Sequence, residues 1–523
     1  MNHGFFKGRA LRAWMGAAAT ALVAGCGGGG VEAPAGQAAA LSAVAYEQPA
    51  YAAQSATAVE VAVRAAVLPA RVALGAISEA KAQAAAPVVG PREVGVARDV
   101  APTASVAGTR QLLRWQPTSQ GGQVAAVSFS AEGAHGLRLG VRVERLAPEA
   151  VLRVYRQDRP AAVYETSGQA VLQTIARNLQ AGDQGDAART WWTPDAGGDE
   201  ATLEIELPPG TPASSVQVAV PQVSHFFVDL SLPVEGDSTL QPQVGESSTC
   251  ELDAMCYDDY AALRNAVARM VYTSEGKSYL CTGTLLNDRN SSGTPYFLSA
   301  NHCISSQTVA STLQTFWFYR SPSCGSRTLS SSSVRRTGGA TLLYASASTD
   351  TSFLKLLDTP PPGAMFAGWD ASAQALGTAV AGLHHPQGDL LKISFGTVVS
   401  LYACSSVSAT SFSCTADPNG SFYRVGWTQG QTEGGSSGSG IFHGNALVGT
   451  LYGGNALCSG LGQSYYGRFD VAYAAALRNW LSPGASVSPP PVVVPPPSTL
   501  SSWIGQQGRT QPLLNPGLPL RLP

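Results

Sequence analysis

The sequence predicts an all-β chain: a double β-barrel with a C-terminal helix, preceded by a β-sandwich. Three observations predict it. Gly (56) and Pro (34) are plentiful and Ser and Thr recur in short runs, which suits many short strands and tight turns better than long helices. Short apolar or alternating runs return between turn signals from about residue 108 to about 481. Of 9 cysteines, all but Cys26 fall between Cys250 and Cys458, as in a crosslinked domain of an oxidising compartment.

The elements follow in chain order. Lys7, Arg9 and Arg12 precede Trp14 to Ala24, an apolar run too short to span a bilayer, so residues 1–26 read as a signal peptide. Its end, Leu22-Val23-Ala24-Gly25-Cys26, resembles a bacterial lipobox, in which the cysteine becomes the lipidated first residue. The other reading is an ordinary signal peptide that leaves Cys26 free. Lipidation also accounts for the odd cysteine. Residues 27–107 read as an Ala-rich tether, with a helical stretch around Ala56 to Leu68 stopped by Pro69.

Residues 108–245 read as a β-rich domain. Val124 to Phe129, Leu137 to Val143 and Val216 to Val220 alternate with period two, the pattern of half-buried strands. The region holds no cysteine and no dense polar constellation, and a small β-sandwich suits it. A polar stretch, Gly236 to Thr249, leads out of it. Residues 246–482 read as the double barrel, with strands at Ser278 to Leu286, Pro295 to Ala300, Thr315 to Tyr319, Thr351 to Leu357 and Leu447 to Leu451. Helical spacing of Val471, Ala474, Ala475, Leu477 and Trp480 predicts a helix over Asp470 to Leu481. Residues 483–523, with a polyproline run, read as a disordered tail.

A formal net charge of −2 with 13% charged residues gives no reason to expect nucleic acid as a partner. No His/carboxylate cluster shows metal-ligand spacing, so neither a metal nor a cofactor is expected. The expected partners are protein or peptide substrates, with the chain acting as a monomer and attached to a membrane if Cys26 is lipidated.

Three stretches carry chemistry. Ser299-Ala300-Asn301-His302-Cys303 offers a base, Asp350 opens the apolar run Thr351 to Leu356, and Gly434-Gly435-Ser436-Ser437-Gly438-Ser439-Gly440 offers a hydroxyl in a tight turn. A hydroxyl is a weak nucleophile at neutral pH and needs a base held by a buried carboxylate. Their order in the chain, His then Asp then Ser, separates them from α/β-hydrolase and subtilisin arrangements. A Cys281–Cys303 bridge would steady the loop of His302. Asp350 is a poor strand residue and costly to bury alone, although a turn role is the commoner use of Asp. Asp358, Asp370 and Asp389 are its rivals, in Pro- or Gly-rich turns. Around Ser437 the glycines allow a sharp turn, and the amides of Gly435 and Ser437 can point at a developing oxyanion. A Gly/Ser linker is the bland reading, but Ile441-Phe442 and Leu447-Val448 follow at once as core strands. Ser436 and Ser439 are neighbouring alternatives for the nucleophile.

On these segments the chain resembles chymotrypsin-fold serine peptidases, and among them the bacterial lysyl endopeptidases of Achromobacter and Lysobacter type. The resemblance rests on Thr432 to Ser439, on Gly382-Leu383-His384-His385-Pro386-Gln387-Gly388-Asp389 and on Tyr466-Gly467-Arg468-Phe469. It covers about Cys250 to Leu481. It implies a precursor with a long pro-region, and the pairings Cys250–Cys458, Cys256–Cys324 and Cys281–Cys303, which leaves Cys404 and Cys414 for each other. It also implies that Tyr452, Gly453 and Ser464 line the substrate cleft, Gly453 pairing with extended substrate backbone. Three positions depart from the pattern. Ser436 stands where trypsin-like enzymes carry an Asp that pairs with a new N-terminus. Tyr452 stands where the lysyl enzymes carry a His. Ser464 stands where they carry the Asp that binds lysine, with Glu433 the nearest acidic alternative, so strict lysine specificity is not expected. His384 and His385 read as loop-packing residues.

The function these observations imply is an exported serine endopeptidase working through His302, Asp350 and Ser437. The alternative is a non-catalytic surface lipoprotein that uses the same fold for binding.

Overall fold

The structure, a computed structural model, describes residues 42–47, 67–77, 90–232, 244–408, 411–455, 458 and 462–483. The expected signal peptide, Cys26, most of the helix around Ala56 to Leu68 and the Pro-rich tail lie outside the described residues.

Alternation builds the N-terminal sandwich. In strand Gly136–Arg145, Leu137, Leu139, Val141 and Val143 are buried, and they pack against Val127, Phe129, Leu203 and Ile205 of the facing sheet. That facing sheet pairs Gln123–Ala131 with Glu200–Leu207, then Val151–Arg156, then Arg159–Ser167. The other sheet runs Thr190–Trp192, Gly136–Arg145, Gln217–Phe226, Arg92–Asp99. Helix Gly168–Gln180 starts where the Ser167 side chain accepts from the Ala170 amide, and it buries Val171, Leu172 and Ile175 in the same core.

The expected tether over 27–107 is shorter than composition suggested. Ala70–Leu74 and Arg92–Asp99 are strands of the sandwich and Val106–Leu112 is a helix. Ser42–Ala43 pairs with Trp369 and Asp370, and Tyr46–Glu47 pairs with Met365 and Phe366. The physical reason is burial: Val94 and Val100 lie in packed cores and Val96 is buried beside them in the chain, which small Ala-rich surroundings do not advertise.

Strand Arg92–Asp99 also pairs with Lys277–Leu286, so the sandwich and the first barrel share an 11-stranded sheet. Arg138 crosses this junction. It is buried, and its guanidinium donates to Thr193 O (2.7 Å), Thr273 Oγ1 (2.9 Å) and Thr312 O (3.0 Å).

The first barrel orders its strands as Val334–Arg336, Gln314–Trp317, Val267–Ser274, Lys277–Leu286, Tyr296–Ala300, Thr351–Leu356 and Ala340–Ser346. Met270, Leu285, Phe297, Trp317 and Leu354 fill it. In the second, Ala446–Asn455 pairs with Gly440–His443, then Ala379–His384, Lys392–Ser408, Phe422–Gln429 and Gln463–Arg468, which returns to Ala446–Asn455 and closes the ring. Val398, Val425, Ile441 and Tyr466 fill it. Between the barrels lies a third core of Leu298, Phe353, Trp369, Leu383 and Phe442, capped by the C-terminal helical segment through Phe469, Tyr473 and Leu477. That segment runs from Phe469 to Leu481 with a widened π turn at Tyr473–Leu477. Among the described residues no helix is long and apolar enough to cross a membrane.

Candidate active site

Strand pairing brings the base and the carboxylate together. Tyr296–Ala300 and Thr351–Leu356 are antiparallel partners whose last register pair is Ala300 with Thr351. His302 therefore leaves one strand where Asp350 enters the other. Asp350 holds φ at +46°, a left-handed conformation that Asp tolerates better than most residues. From there its carbonyl accepts from the Asn301 amide (3.0 Å), Oδ1 accepts from the His302 amide (2.9 Å) and Oδ2 accepts from His302 Nδ1 (2.6 Å). The last bond places the imidazole proton on Nδ1 and leaves Nε2 as an acceptor. Nε2 is buried and has no hydrogen-bond partner among the described residues. Burial pushes the Asp350 carboxyl above its ordinary range, against the opposing pull of the His302 imidazole. The Cys281–Cys303 disulfide ties the residue after the base to a central strand.

The hydroxyl comes from the other barrel. Gly435 (φ +92°) and Gly438 (φ +81°) take conformations closed to side chains. A Cβ at Gly438 would lie 2.1 Å from Ser299 Oγ and 2.7 Å from Ala300 N, so glycine alone lets this turn press on the strand that leads to His302. Thr282 pins the turn from the first barrel. Its amide donates to Ser437 O (2.8 Å) and its hydroxyl donates to Gly435 O (2.9 Å). Ser437 is 2% exposed. The amides of Gly435 and Ser437 find no acceptor among the described residues, an open donor pair in a place where backbone groups are normally satisfied. Among the described residues no hydrogen bond joins Ser437 Oγ to His302 Nε2.

Beside the base, the Tyr452 ring stands 5.8 Å from the His302 ring, 4.5 Å from Phe412 and 5.3 Å from Phe422. Burial pushes its phenol up to about 12. Gly453 follows Tyr452 on strand Ala446–Asn455 and is paired with Tyr465. Ser464 is buried: its Oγ accepts from Trp427 Nε1 (2.9 Å) and shares a bond with Thr432 Oγ1 (2.8 Å). The Glu433 carboxylate is turned to the Ser248 amide (2.9 Å). The rival aspartates are engaged with other backbone segments. Asp358 accepts from Thr337 and Gly338, Asp370 from Ser372, and Asp389 from Gly245 and Ser247.

Disulfides join Cys250–Cys458, Cys256–Cys324, Cys281–Cys303 and Cys404–Cys414. The last spans the hairpin of Lys392–Ser408 and Ser411–Ala416, and from this hairpin Phe412 reaches Tyr452. Sequence reading missed Thr282 and Phe412. Thr282 stood in plain view beside Cys281, but its role needs the second barrel. Phe412 carries no motif.

Residues 244–469 match the family described as lysyl endopeptidase, C-terminal domain, and residues 65–227 match the lysyl endopeptidase N-terminal domain. A lysyl endopeptidase of Pseudomonas aeruginosa is 34% identical over 389 residues, covering 70% of this chain and 77% of the relative. Among solved structures, the protease Rv3671c of M. tuberculosis in its active form aligns with 16% identity over 50% of this chain and 97% of its own, at a TM-score of 0.30. The MamO protease domain of Magnetospirillum magneticum aligns with 13% identity over 41% of this chain and 98% of its own, also at 0.30. With the sequence matches running through both the sandwich and the barrels, the chain belongs to the lysyl endopeptidase family and is a serine endopeptidase.

Proposed function

We propose that His302, Asp350 and Ser437 are the catalytic triad of this endopeptidase. Ser437 Oγ attacks the scissile carbonyl while His302 Nε2 takes its proton, and Asp350 holds the Nδ1–H tautomer and stabilises the imidazolium. The Gly435 and Ser437 amides receive the oxyanion, where such donors contribute roughly 3–4 kcal/mol each. His302 then protonates the leaving amine, and water, activated by the same imidazole, releases the acyl group from Ser437. The observation that carries the reading is the 2.6 Å bond from His302 Nδ1 to buried Asp350, with Nε2 left unpartnered and the Gly438 turn pressed against Ser299 and Ala300 of the strand that leads to His302. Ser437→Ala tests it. Cleavage of a protein substrate and labelling by a fluorophosphonate should both vanish in the folded variant, and labelling that survives intact removes Ser437 from the role.

The pocket is read as unselective for lysine charge at position 464. A buried ammonium needs a charged partner, and Ser464 offers a neutral hydroxyl already bonded to Thr432 and Trp427. Peptide-library profiling of the native enzyme should show P1 preference beyond lysine, and Ser464→Asp should move it toward lysine. Strict lysine cleavage by the native enzyme is the contrary result.

The same reading makes residues up to about 245 a pro-region and 246–482 the mature peptidase, exported to a compartment where its disulfides form. Cys26 is the lipidation site of the precursor. Mass spectrometry of the mature N-terminus and of the lipid-modified fraction checks both points.

A further inference from the structure

The paired histidines of Gly382-Leu383-His384-His385 take no part in the triad, yet both rings are buried. His384 ends strand Ala379–His384 and is 0% exposed. Its Nδ1 lies 2.9 Å from Ser436 Oγ and its Nε2 lies 3.0 Å from Ser394 Oγ. The bonds on either side set the direction of every proton. The Glu433 amide donates to Ser436 Oγ (3.2 Å), so the Ser436 hydroxyl is free to give its own proton to Nδ1. Ser394 Oγ donates to the Gln431 carbonyl (2.7 Å), so it accepts from Nε2–H. A one-way circuit results: Glu433 to Ser436, Ser436 to His384, His384 to Ser394, Ser394 to Gln431. It starts and ends on the loop that carries Gly435 and Ser437.

Only a neutral ring completes this circuit. An imidazolium would present a donor at Nδ1, where the Ser436 proton already points. Burial, with added repulsion from His385 and Lys392, holds His384 down at about 3. The nearest carboxyl, Glu251 Oε2 at 3.9 Å from Nε2, is itself pushed well above the usual range by burial and by Glu433, which favours its uncharged form. His385 supports the same loop from the other side. Its amide donates to Thr282 Oγ1 (3.1 Å), the hydroxyl that donates to Gly435 O, and its Nδ1 donates to Asp389 O (2.9 Å).

We propose that His384 is a positioning residue for the oxyanion-binding loop, its neutral imidazole clamped between Ser436 and Ser394 so that the Gly435 and Ser437 amides stay aimed at the transition state. The proposal rests on the triad reading above. It also explains how the loop is held with Ser436 where trypsin-like enzymes use a charged carboxylate: the circuit needs no ion pair, and so no new chain end to supply one.

The test uses the enzyme expressed as the full chain and then matured, with Ser436→Ala, His384→Asn, their double variant and Ser437→Ala. Ser436→Ala deletes one oxygen, and a thermal melt confirms that it folds. It should lower kcat about 10- to 100-fold, the scale of ångström-level misplacement, with KM within about twofold. A peptide aldehyde, whose hemiacetal oxygen occupies the oxyanion site, should lose affinity by the same factor. The double variant should lose no more than the worse single, because both break one circuit. Unchanged kcat and aldehyde affinity in folded Ser436→Ala, or additive losses in the double variant, overturn the proposal. A Ser437→Ala enzyme that still cleaves overturns the triad reading and this proposal with it, so the two failures are distinct.

Discussion

The carbonyl oxygen of Thr349 occupies the space that a side chain at Gly467 would fill: a Cβ there would lie 1.8 Å from it. Gly467 sits on the second-barrel strand Gln463–Arg468, and Thr349 immediately precedes the carboxylate that orients His302. The close approach therefore sets the Asp350 turn against the other barrel, aided by Ser421 Oγ, which donates to Ser348 O at 2.6 Å. Gly467→Ala should push this turn away. Loss of registry at the base costs on the order of 100-fold in rate per ångström, so kcat/KM should fall by about 10- to 100-fold in a variant that still folds. Steady-state kinetics with a thermal melt checks this, and native kcat/KM would break the link.

Asp350→Asn separates catalysis from stability. The amide cannot hold the Nδ1–H tautomer, and kcat should drop by about 10⁴-fold. Burial raises the Asp350 pKa above its unfolded value. The stability this group contributes is then complete below the unfolded pKa and is lost as pH rises through the folded value. Ionising this buried carboxyl is a burden on the fold, so above its folded pKa the variant's melting temperature should be no lower than that of the native enzyme. A large fall in melting temperature would show that the carboxylate is structural.

The buried histidines predict the acid limit. Burial holds both His384 and His385 down at about 3. Their folded pKa values lie below the unfolded one, so the stability they contribute is present above about 6.5 and is lost as pH falls from there toward about 3. Melting of the Ser437→Ala protein, which avoids self-digestion, should show falling stability across this window. Adding His384→Asn should flatten the slope. An equal slope in both proteins would assign the acid response to other groups.

Arg138 is the anchor of the sandwich on the first barrel. Its removal leaves Thr193 O, Thr273 Oγ1 and Thr312 O without their donor in a buried seam. Hydrogen bonds to a charged group contribute roughly 1.5–3 kcal/mol, and an unsatisfied buried partner adds to the loss. Arg138→Ala should lower the denaturant midpoint of the precursor and leave kcat/KM of the matured enzyme unchanged. An unchanged midpoint of the precursor would show that Arg138 does not hold the sandwich on the barrel.

The sequence alone determined what is local or written in pattern: the strand runs of sandwich and barrels, the C-terminal helix, and the three segments bearing His302, Asp350 and Ser437. Period-two alternation and glycine-bounded turns are short-range signals, so they survive without coordinates. Burial across chain-distant partners is not short-range, and only the tertiary structure decided it. It turned Arg92–Asp99 from expected tether into the strand shared by sandwich and barrel, because Val94 packs with Val271 and Leu280, nearly two hundred residues away along the chain. It gave Thr282 its two bonds to the turn of Ser437, and it enclosed His384 between two serines that no spacing rule connects. Hydrogen-bond direction depends on which donors and acceptors meet in a dry interior, and that meeting is a property of the fold.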